Sequence, residues 1–244
     1  MMSRKAVRVS ALTEALSQRR VLHIRDAALL LDVSEMTVRR DVSENPGLFG
    51  YFGGHIVPAM DLESDGPYEL AKAADSHARA KQDACTHALK YIRPDETIFI
   101  DCGTTLAYLV EMIPADMPVM AVCYALNIAD RLTRKPNISV VMLGGLYHPS
   151  SASFSGSSGL DSLDELGINV AFLSAAGVDQ KRGATCAYFH EAQIKRKVMS
   201  LARKNVLVTD SSKIGKLKPA FFGEIDRFDA IVTENGELSL SSAA

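Results

Sequence analysis

Hydrophobic residues follow a helical spacing near the N-terminus. Leu12 and Thr13 follow Val9 by three and four residues, and Leu16 follows Leu12 by four. This spacing predicts a helix over about 4–18. The elements predicted after it are an extended segment at 21–24, a short helix at 26–31, a turn at 32–33 and a second helix at 35–42. Two short helices joined by a tight turn are typical of a helix-turn-helix.

The second of these helices has clear ends. Ser34 is a good N-cap residue, and the segment 45–47, which contains a proline and a glycine, ends the helix. Residues 48–57 contain aromatic side chains around a glycine pair, Gly53 and Gly54, which predicts a β-hairpin. Residues 1–58 are therefore predicted to form a winged helix-turn-helix domain.

The remaining chain has a different pattern. Residues 59–67 are acidic and rich in turn formers, so a linker is predicted there. A long helix is predicted over 68–92, and 68–244 then alternates between helices and short apolar strands. The strands are predicted at 97–100, 119–123, 139–143, 170–173, 206–209 and 230–232. This alternation predicts a doubly wound α/β domain with a mostly parallel sheet.

Composition restricts the classes of function. The 244 residues have a formal net charge of −2, so any DNA binding must come from a local basic surface. The first residues do not resemble a signal peptide, and no apolar run is long enough for a membrane span. The four cysteines are widely spaced and without a C-x-x-C pair, which favours a reduced cytoplasmic protein without disulfides or a metal site.

The predicted second helix carries side chains suited to DNA. Ser34 and Thr37 can donate to phosphate, while Arg39 and Arg40 can reach phosphate or a guanine edge. An isolated Arg-Arg pair is usually only a solvated helix face. Here it occurs with a tight turn, a capped helix and a hairpin, so DNA binding is the preferred interpretation. The candidate DNA contacts are Ser34, Glu35, Met36, Thr37, Arg39, Arg40 and, from the wing, His55.

Small and polar residues follow the predicted strands of the second domain. Asp101 and the next four residues lie between a strand and a helix, where backbone N–H groups can bind a phosphate. Parallel sheets place their ligands at this carboxyl edge. Asp101, Asn127 and Asp179 could accept sugar hydroxyls, and Lys213 could neutralise a phosphate. The candidate effector contacts are Asp101, Cys102, Gly103, Thr104, Thr105, Asn127, Gly144, Gly145, Ala176, Gly177, Asp179, Glu191 and Lys213.

The stretch 33–41, Val-Ser-Glu-Met-Thr-Val-Arg-Arg-Asp, resembles the signature of the DeoR family of bacterial transcription regulators. The wing departs from the usual family pattern, because no arginine precedes Gly53, Gly54 and His55. The resemblance implies a repressor of a carbohydrate or nucleoside catabolic operon, with double-stranded operator DNA as its partner. One short helix reads few bases, so we expect a homo-oligomer, at least a dimer.

The second domain resembles the family's sensor domain, whose fold is related to ribose-5-phosphate isomerase. Residues 101–105 resemble the phosphate loop of the isomerase, 177–179 part of its acidic loop and 210–213 its lysine loop, while Glu191 falls where its catalytic glutamate lies. The stretches 121–127, 143–148 and 175–186 are most similar to family members that control deoxyribonucleoside catabolism. The resemblance therefore implies a phosphorylated sugar as effector, with deoxyribose 5-phosphate preferred over other sugar phosphates, and no cofactor.

Three other interpretations remain open. A sugar-phosphate isomerase would use Glu191 as its base, but the glycine-rich, lysine-bearing stretch of the isomerase is reduced here to 180–186. Cys102, Cys123 and Cys186 lie near the predicted effector loops and could sense oxidants, although most intracellular cysteines are only small buried groups. A DNA-architectural protein without a ligand would leave the glycine and hydroxyl loops unexplained.

Overall fold

The computed structural model describes residues 4–19, 22–45, 48–52, 55–58 and 77–238. Contacts divide the chain into two compact units, Met1–Pro67 with Lys218–Ala220, and Tyr68–Leu217 with Phe221–Ala244. They are called the N-terminal unit and the C-terminal unit below. The predicted linker at 59–67 lies outside the described residues. No helix in the described ranges combines the length and apolar character needed to cross a bilayer.

Three helices and a three-stranded sheet form the described part of the N-terminal unit. The helices are α1 (Arg4–Arg19), α2 (Ile24–Leu31) and α3 (Glu35–Ser43). The strands are β1 (Leu22–His23), β2 (Phe49–Phe52) and β3 (His55–Pro58), in the antiparallel order β1-β3-β2. This is the predicted winged helix-turn-helix.

The core of the N-terminal unit follows the predicted helical spacing. Leu12 and Leu16 of α1 pack with Val38 and Val42 of α3, and Ile56 of β3 is completely buried among them. Thr13 shares the same spacing but is exposed, and its hydroxyl donates back to a carbonyl of its own helix. Between the two short helices, Asp32 has φ of 51°, and this left-handed residue makes the turn tight.

The C-terminal unit is built on a seven-stranded sheet in the order β15-β14-β12-β9-β4-β5-β6. The parallel strands are β4 (Thr97–Ile100), β5 (Val119–Cys123), β6 (Ile138–Met142), β9 (Val170–Leu173), β12 (Lys204–Val208) and β14 (Ala230–Thr233). The antiparallel edge strand is β15 (Gly236–Glu237). The predicted α/β class and doubly wound topology are confirmed.

The strand order reverses once, between β4 and β9. From β4 the chain adds β5 and β6 on one side, and it then adds β9, β12 and β14 on the other. Crossovers that leave in opposite directions open a crevice at the carboxyl ends of the two central strands, where doubly wound folds bind ligands. Helices α4 (Ala78–Ala88), α5 (Thr105–Met112), α6 (Leu126–Leu132), α7 (Ser157–Ser162) and α8 (Phe189–Leu201) complete the described helices of this unit.

Two parts of the C-terminal unit differ from the prediction. The helix expected over 68–92 falls partly on 68–76, which lie outside the described residues. In the described part, His77 has φ of 55°, α4 begins at Ala78, and a 3-10 turn follows at Leu89–Tyr91, so one continuous helix is wrong. Residues 177–179, expected in a loop, form a strand of a second sheet in the order β10-β11-β13. Strands missed from the sequence are β7 (Leu146–His148), β8 (Ser153–Ser155), β10 (Gly177–Asp179), β11 (Gly183–Cys186), β13 (Ala220–Gly223) and the edge strand β15.

Candidate functional site

Helix α3 has a capped N-terminus, one buried face and one exposed face. The Ser34 hydroxyl accepts a hydrogen bond from the backbone N–H of Thr37 at 3.3 Å, so Ser34 is the N-cap predicted from the sequence. Val38 and Val42 face the core. Met36 is 75% exposed, and Arg39 and Arg40 are also exposed, so one face of a capped helix presents a flexible apolar side chain and two cations to solvent.

The acidic residue of the signature has an internal role. The Arg8 guanidinium of α1 donates two hydrogen bonds to Asp41, at 2.6 Å through Nε and 3.0 Å through Nη2. Asp41 is buried, so this two-point ion pair fixes α3 against α1. Asp41 therefore helps to hold α3 in place through this ion pair.

The remaining predicted DNA contacts have different surroundings. Glu35 lies 3.6 Å from the guanidinium of Arg25 in a solvent-exposed ion pair. The Arg39 guanidinium lies over the ring of Tyr51 of β2, 4.9 Å from its centroid, so the wing orients this arginine. His55 begins β3, and its side chain lies outside the described part of the chain.

In the C-terminal unit, Asp101 is the centre of a buried network at the strand-order reversal. Its Oδ1 accepts hydrogen bonds from the Tyr124 hydroxyl at 2.6 Å and the Cys102 N–H at 2.8 Å. Its Oδ2 accepts from the Ser174 N–H at 2.8 Å and the Ser174 hydroxyl at 2.9 Å, and forms an ion pair with Lys195. Both oxygens are occupied and buried, which differs from the expectation that Asp101 accepts a sugar hydroxyl.

The loop after Asp101 has the geometry of an anion-binding turn. Gly103 has φ of 104°, and α5 begins two residues later at Thr105. The Nζ of Lys81, a buried residue of α4, donates to the Thr104 hydroxyl at 3.0 Å. The Asn127 amide donates to the Gly103 carbonyl at 2.9 Å, so two neighbouring elements support the loop. Lys81 was missed from the sequence, because its burial depends on tertiary packing.

Three predicted effector residues also have structural roles. A Cβ on Gly145, which has φ of 139°, would lie 2.2 Å from the Ser155 carbonyl, and one on Gly177 would lie 2.5 Å from the Lys216 carbonyl. Both glycines are therefore required by close backbone approach. In Asp179, Oδ1 accepts the N–H groups of Lys181 and Arg182 and so caps the turn between β10 and β11. Two other predicted contacts are not in such tight surroundings. Ala176 is half-buried, and a Cβ on Gly144 would have no heavy atom within 4 Å.

Glu191 is buried on the first turn of α8. Burial raises the pKa of this carboxyl to about 7, against the opposing effect of Lys195 one turn away. The thiols of Cys102 and Cys186 hydrogen bond to it. Burial raises the pKa of both thiols, which keeps them protonated and does not favour redox sensing. A protonated carboxyl can donate as well as accept a hydrogen bond.

Two further features lie beside the loops. Lys213 ends a 3-10 turn, Ser211–Lys213, directly after β12 and is half-buried. His148 of β7 stacks on His190 of α8, with ring centroids 3.7 Å apart, and burial lowers the pKa of both imidazoles, that of His190 to about 4. Within the described residues, no three side chains of the types His, Cys, Asp and Glu are grouped as metal ligands.

Comparison with known proteins agrees with these two units. Residues 76–235 match the DeoR C terminal sensor domain, and residues 8–47 match the DeoR-like helix-turn-helix domain. The deoxyribose operon repressor of Escherichia coli (strain K12) is 38% identical over 234 residues, which cover 96% of this chain and 92% of that protein. The HTH-type transcriptional regulator IolR of Bacillus subtilis (strain 168) is 27% identical over 232 residues, or 94% and 91% of the two chains.

Among solved structures, ribose 5 phosphate isomerase A from Neisseria gonorrhoeae superposes with a TM-score of 0.42 and 21% identity, over 55% of this chain and 52% of that one. A similarity this low says nothing about activity. The relatives, in contrast, match this chain almost from end to end and through both units. The chain therefore belongs to the DeoR family of helix-turn-helix transcription regulators.

Proposed function

We propose that this protein is a cytoplasmic repressor of a deoxyribonucleoside or related carbohydrate operon, which binds operator DNA through α3 and is released by deoxyribose 5-phosphate. The observation that carries the DNA-binding half is the exposed face of α3, where Met36, Arg39 and Arg40 project from a capped helix. A helix of this kind enters the major groove with its N-terminal residues near base edges.

The C-terminal unit supports a phosphorylated effector. The turn at Gly103, the N-terminus of α5 and Lys81 place backbone N–H groups and a cation at the strand-order reversal. Glu191 and Asn127 supply polar groups that a sugar could meet, and Lys213 supplies a second cation. The relative that matches 96% of this chain is named for the deoxyribose operon, and this supports deoxyribose 5-phosphate as the sugar.

The protein is expected to act as a homo-oligomer, at least a dimer. The exposed face of one nine-residue helix contacts too few base pairs to select a single site in a genome. Two copies would read two half-sites separated by one helical turn of DNA, about 34–36 Å, or a multiple of it.

A sugar-phosphate isomerase is the second candidate, because a buried carboxyl with a pKa near 7, such as Glu191, is suited to general-base catalysis. The Asp101 carboxylate, however, is held in an ion pair with Lys195, so we expect no isomerisation of sugar phosphates. Incubation with ribose 5-phosphate and with deoxyribose 5-phosphate, followed by analysis of the sugars, tests this. Conversion faster than in a Glu191→Gln control would support the enzyme.

The main experiment measures effector and DNA binding on the same preparation. Deoxyribose 5-phosphate should raise the melting temperature, whereas free deoxyribose should not, because only the ester engages the loop at 101–105. Duplex DNA selected by the protein from a random pool should be released by the same ester, as followed by fluorescence anisotropy. Stabilisation by another sugar phosphate alone would change the effector, and failure to select any DNA sequence would contradict the repressor.

A further inference from the structure

A buried ion pair joins three segments of the proposed effector site. Lys195 of α8 contacts the Asp101 carboxylate and donates to the Ser174 carbonyl at 3.0 Å. Asp101 is the first residue of the proposed phosphate loop, 101–105, and Ser174 begins the loop after β9. Lys195 also lies one helical turn after Glu191. A single ammonium group therefore connects the phosphate loop, the opposite edge of the crevice and the helix that carries Glu191.

Stability alone does not require charges at this place. Lys195 and Asp101 are both buried, and the removal of two charges from water costs free energy that their attraction often only offsets. A hydrophobic pair of similar volume would fill the same space without this cost. The pair differs from a simple packing contact because it accepts and donates hydrogen bonds in fixed directions to the segments that follow β4, β5 and β9.

We propose that the Lys195–Asp101 pair is the positioning element of the effector site, on which sugar-phosphate binding depends and operator binding does not. The inference rests on the proposed function. Without the pair, the loops after β4 and β9 lose their shared partner, and the anion-binding turn at Gly103 is no longer held against the crevice. Lys195 and Asp101 act through these loops and are positioning residues, without direct contact to the ligand.

The test compares Lys195→Met, Asp101→Asn and the double variant with the wild type. Each single variant leaves one buried charge without its partner and should lower the melting temperature clearly. The double variant should regain part of the loss, because no unpaired charge remains but asparagine has only one oxygen to accept the N–H groups of Cys102 and Ser174. The double variant should nevertheless bind deoxyribose 5-phosphate at least tenfold more weakly, a difference of about 1.4 kcal/mol. Its operator affinity without effector should stay within about twofold of wild type. Lys197→Met, on the same helix in an exposed pair with Asp164, is the matched control and should change neither affinity.

Ser174→Ala is a milder variant that keeps the ion pair. It removes the hydroxyl that bridges Asp101 and the Cys102 carbonyl, and it should weaken effector binding about threefold to tenfold without loss of folding. Wild-type effector affinity in both the double variant and Ser174→Ala would overturn the inference and leave the proposed function intact. Absence of sugar-phosphate binding by the wild-type protein would overturn the proposed function, and the inference with it.

Discussion

Arg39 and Arg40 are adjacent in the sequence but have different surroundings. Arg39 lies over the Tyr51 ring, which restricts the directions that its guanidinium can take. Arg40 is exposed, and its backbone carbonyl accepts hydrogen bonds from the Ser43 hydroxyl and the Glu44 N–H. An arginine held in one direction before binding loses less conformational freedom when it contacts a base. Arg39 is therefore the better candidate for reading the DNA sequence, and Tyr51 for positioning it.

Arg39→Ala should weaken operator binding about 5-fold to 150-fold, because a bidentate contact to a base contributes about 1–3 kcal/mol. Tyr51→Leu should weaken it less, and it should have little further effect when Arg39 is already alanine. Anisotropy titrations of the two single variants and the double variant measure this coupling. Arg134→Ala, in an exposed pair of the C-terminal unit, is the control. Equal operator affinity in Arg39→Ala and wild type would contradict the assignment.

Glu191 makes stability depend on pH near neutrality. Its pKa in the folded protein is about 7, which is above the ordinary value of a glutamate, so the folded state binds a proton that the unfolded state releases. The corresponding stability is fully present below the ordinary pKa of glutamate and is lost as pH rises through 7. Asp101, Lys195, Cys102 and Cys186 are the groups that face this carboxyl.

The melting temperature of the wild-type protein should therefore fall as pH rises from about 5 to about 7 and level off above that, and this fall should be much smaller in Glu191→Gln. Glutamine keeps the shape of the protonated side chain but cannot ionise. Burial lowers the pKa of His148 and His190, and their contribution to the pH dependence is the same in wild type and in Glu191→Gln. Calorimetric scans at several pH values measure the difference, and parallel curves for the two proteins would show that Glu191 does not titrate there.

At the scale of elements, α3 depends on its first residue. The Ser34 hydroxyl accepts the N–H of Thr37 and also contacts the Thr37 hydroxyl at 3.0 Å. The cap and the N-terminal N–H groups lie at the end of the helix that is proposed to face DNA phosphates. Ser34 therefore has two separable effects, one on the stability of α3 and one on the charge presented to DNA.

Ser34→Ala should lower the stability of the N-terminal unit by about 1 kcal/mol, the usual effect of removing a cap. Ser34→Asp should preserve that stability, because aspartate is an equally good cap, but its negative charge should weaken operator binding in a salt-dependent way. Thermal unfolding and anisotropy at two salt concentrations separate these effects. Full operator affinity in Ser34→Asp would show that this end of α3 does not face the phosphates.

At the scale of the whole molecule, the proposed function requires coupling between the two units. Each unit has a compact set of contacts of its own, so effector binding in one can influence DNA binding only through two conformations that differ in affinity for both ligands. Such coupling is reciprocal for equilibrium binding.

Deoxyribose 5-phosphate should weaken operator affinity by a certain factor, and saturating operator should weaken deoxyribose 5-phosphate binding by the same factor, about 5-fold to 150-fold in typical cases. Calorimetry of effector binding with and without operator, and anisotropy with and without effector, give the two factors. A duplex that the protein does not bind is the control. An effect in one direction only would show that release does not arise from equilibrium coupling.

Much of the fold follows from local patterns. The six parallel strands were predicted within two residues at either end, because strands buried on both faces are continuous apolar runs. The cap at Ser34 and the hairpin at 48–57 were also predictable, since each depends on neighbours within a few positions. In contrast, β7, β8, β10 and β11 are short and partly polar, and hairpins of this kind leave no clear alternation in the sequence.

The interior of the proposed effector site depended on tertiary structure. Glu191 and Lys195 are four residues apart on a helix, a spacing that usually indicates a solvent-exposed pair, yet both are buried. The Lys195 ammonium contacts the Asp101 carboxylate, 94 positions away in the sequence. The Lys81 ammonium donates to the Thr104 hydroxyl, 23 positions away. The sequence by itself determined the family, the capped helix α3 and the six parallel strands, because these depend on near neighbours. Only the folded chain decided which charges lose water and which partners they meet, because both depend on segments that are distant in sequence and adjacent in space.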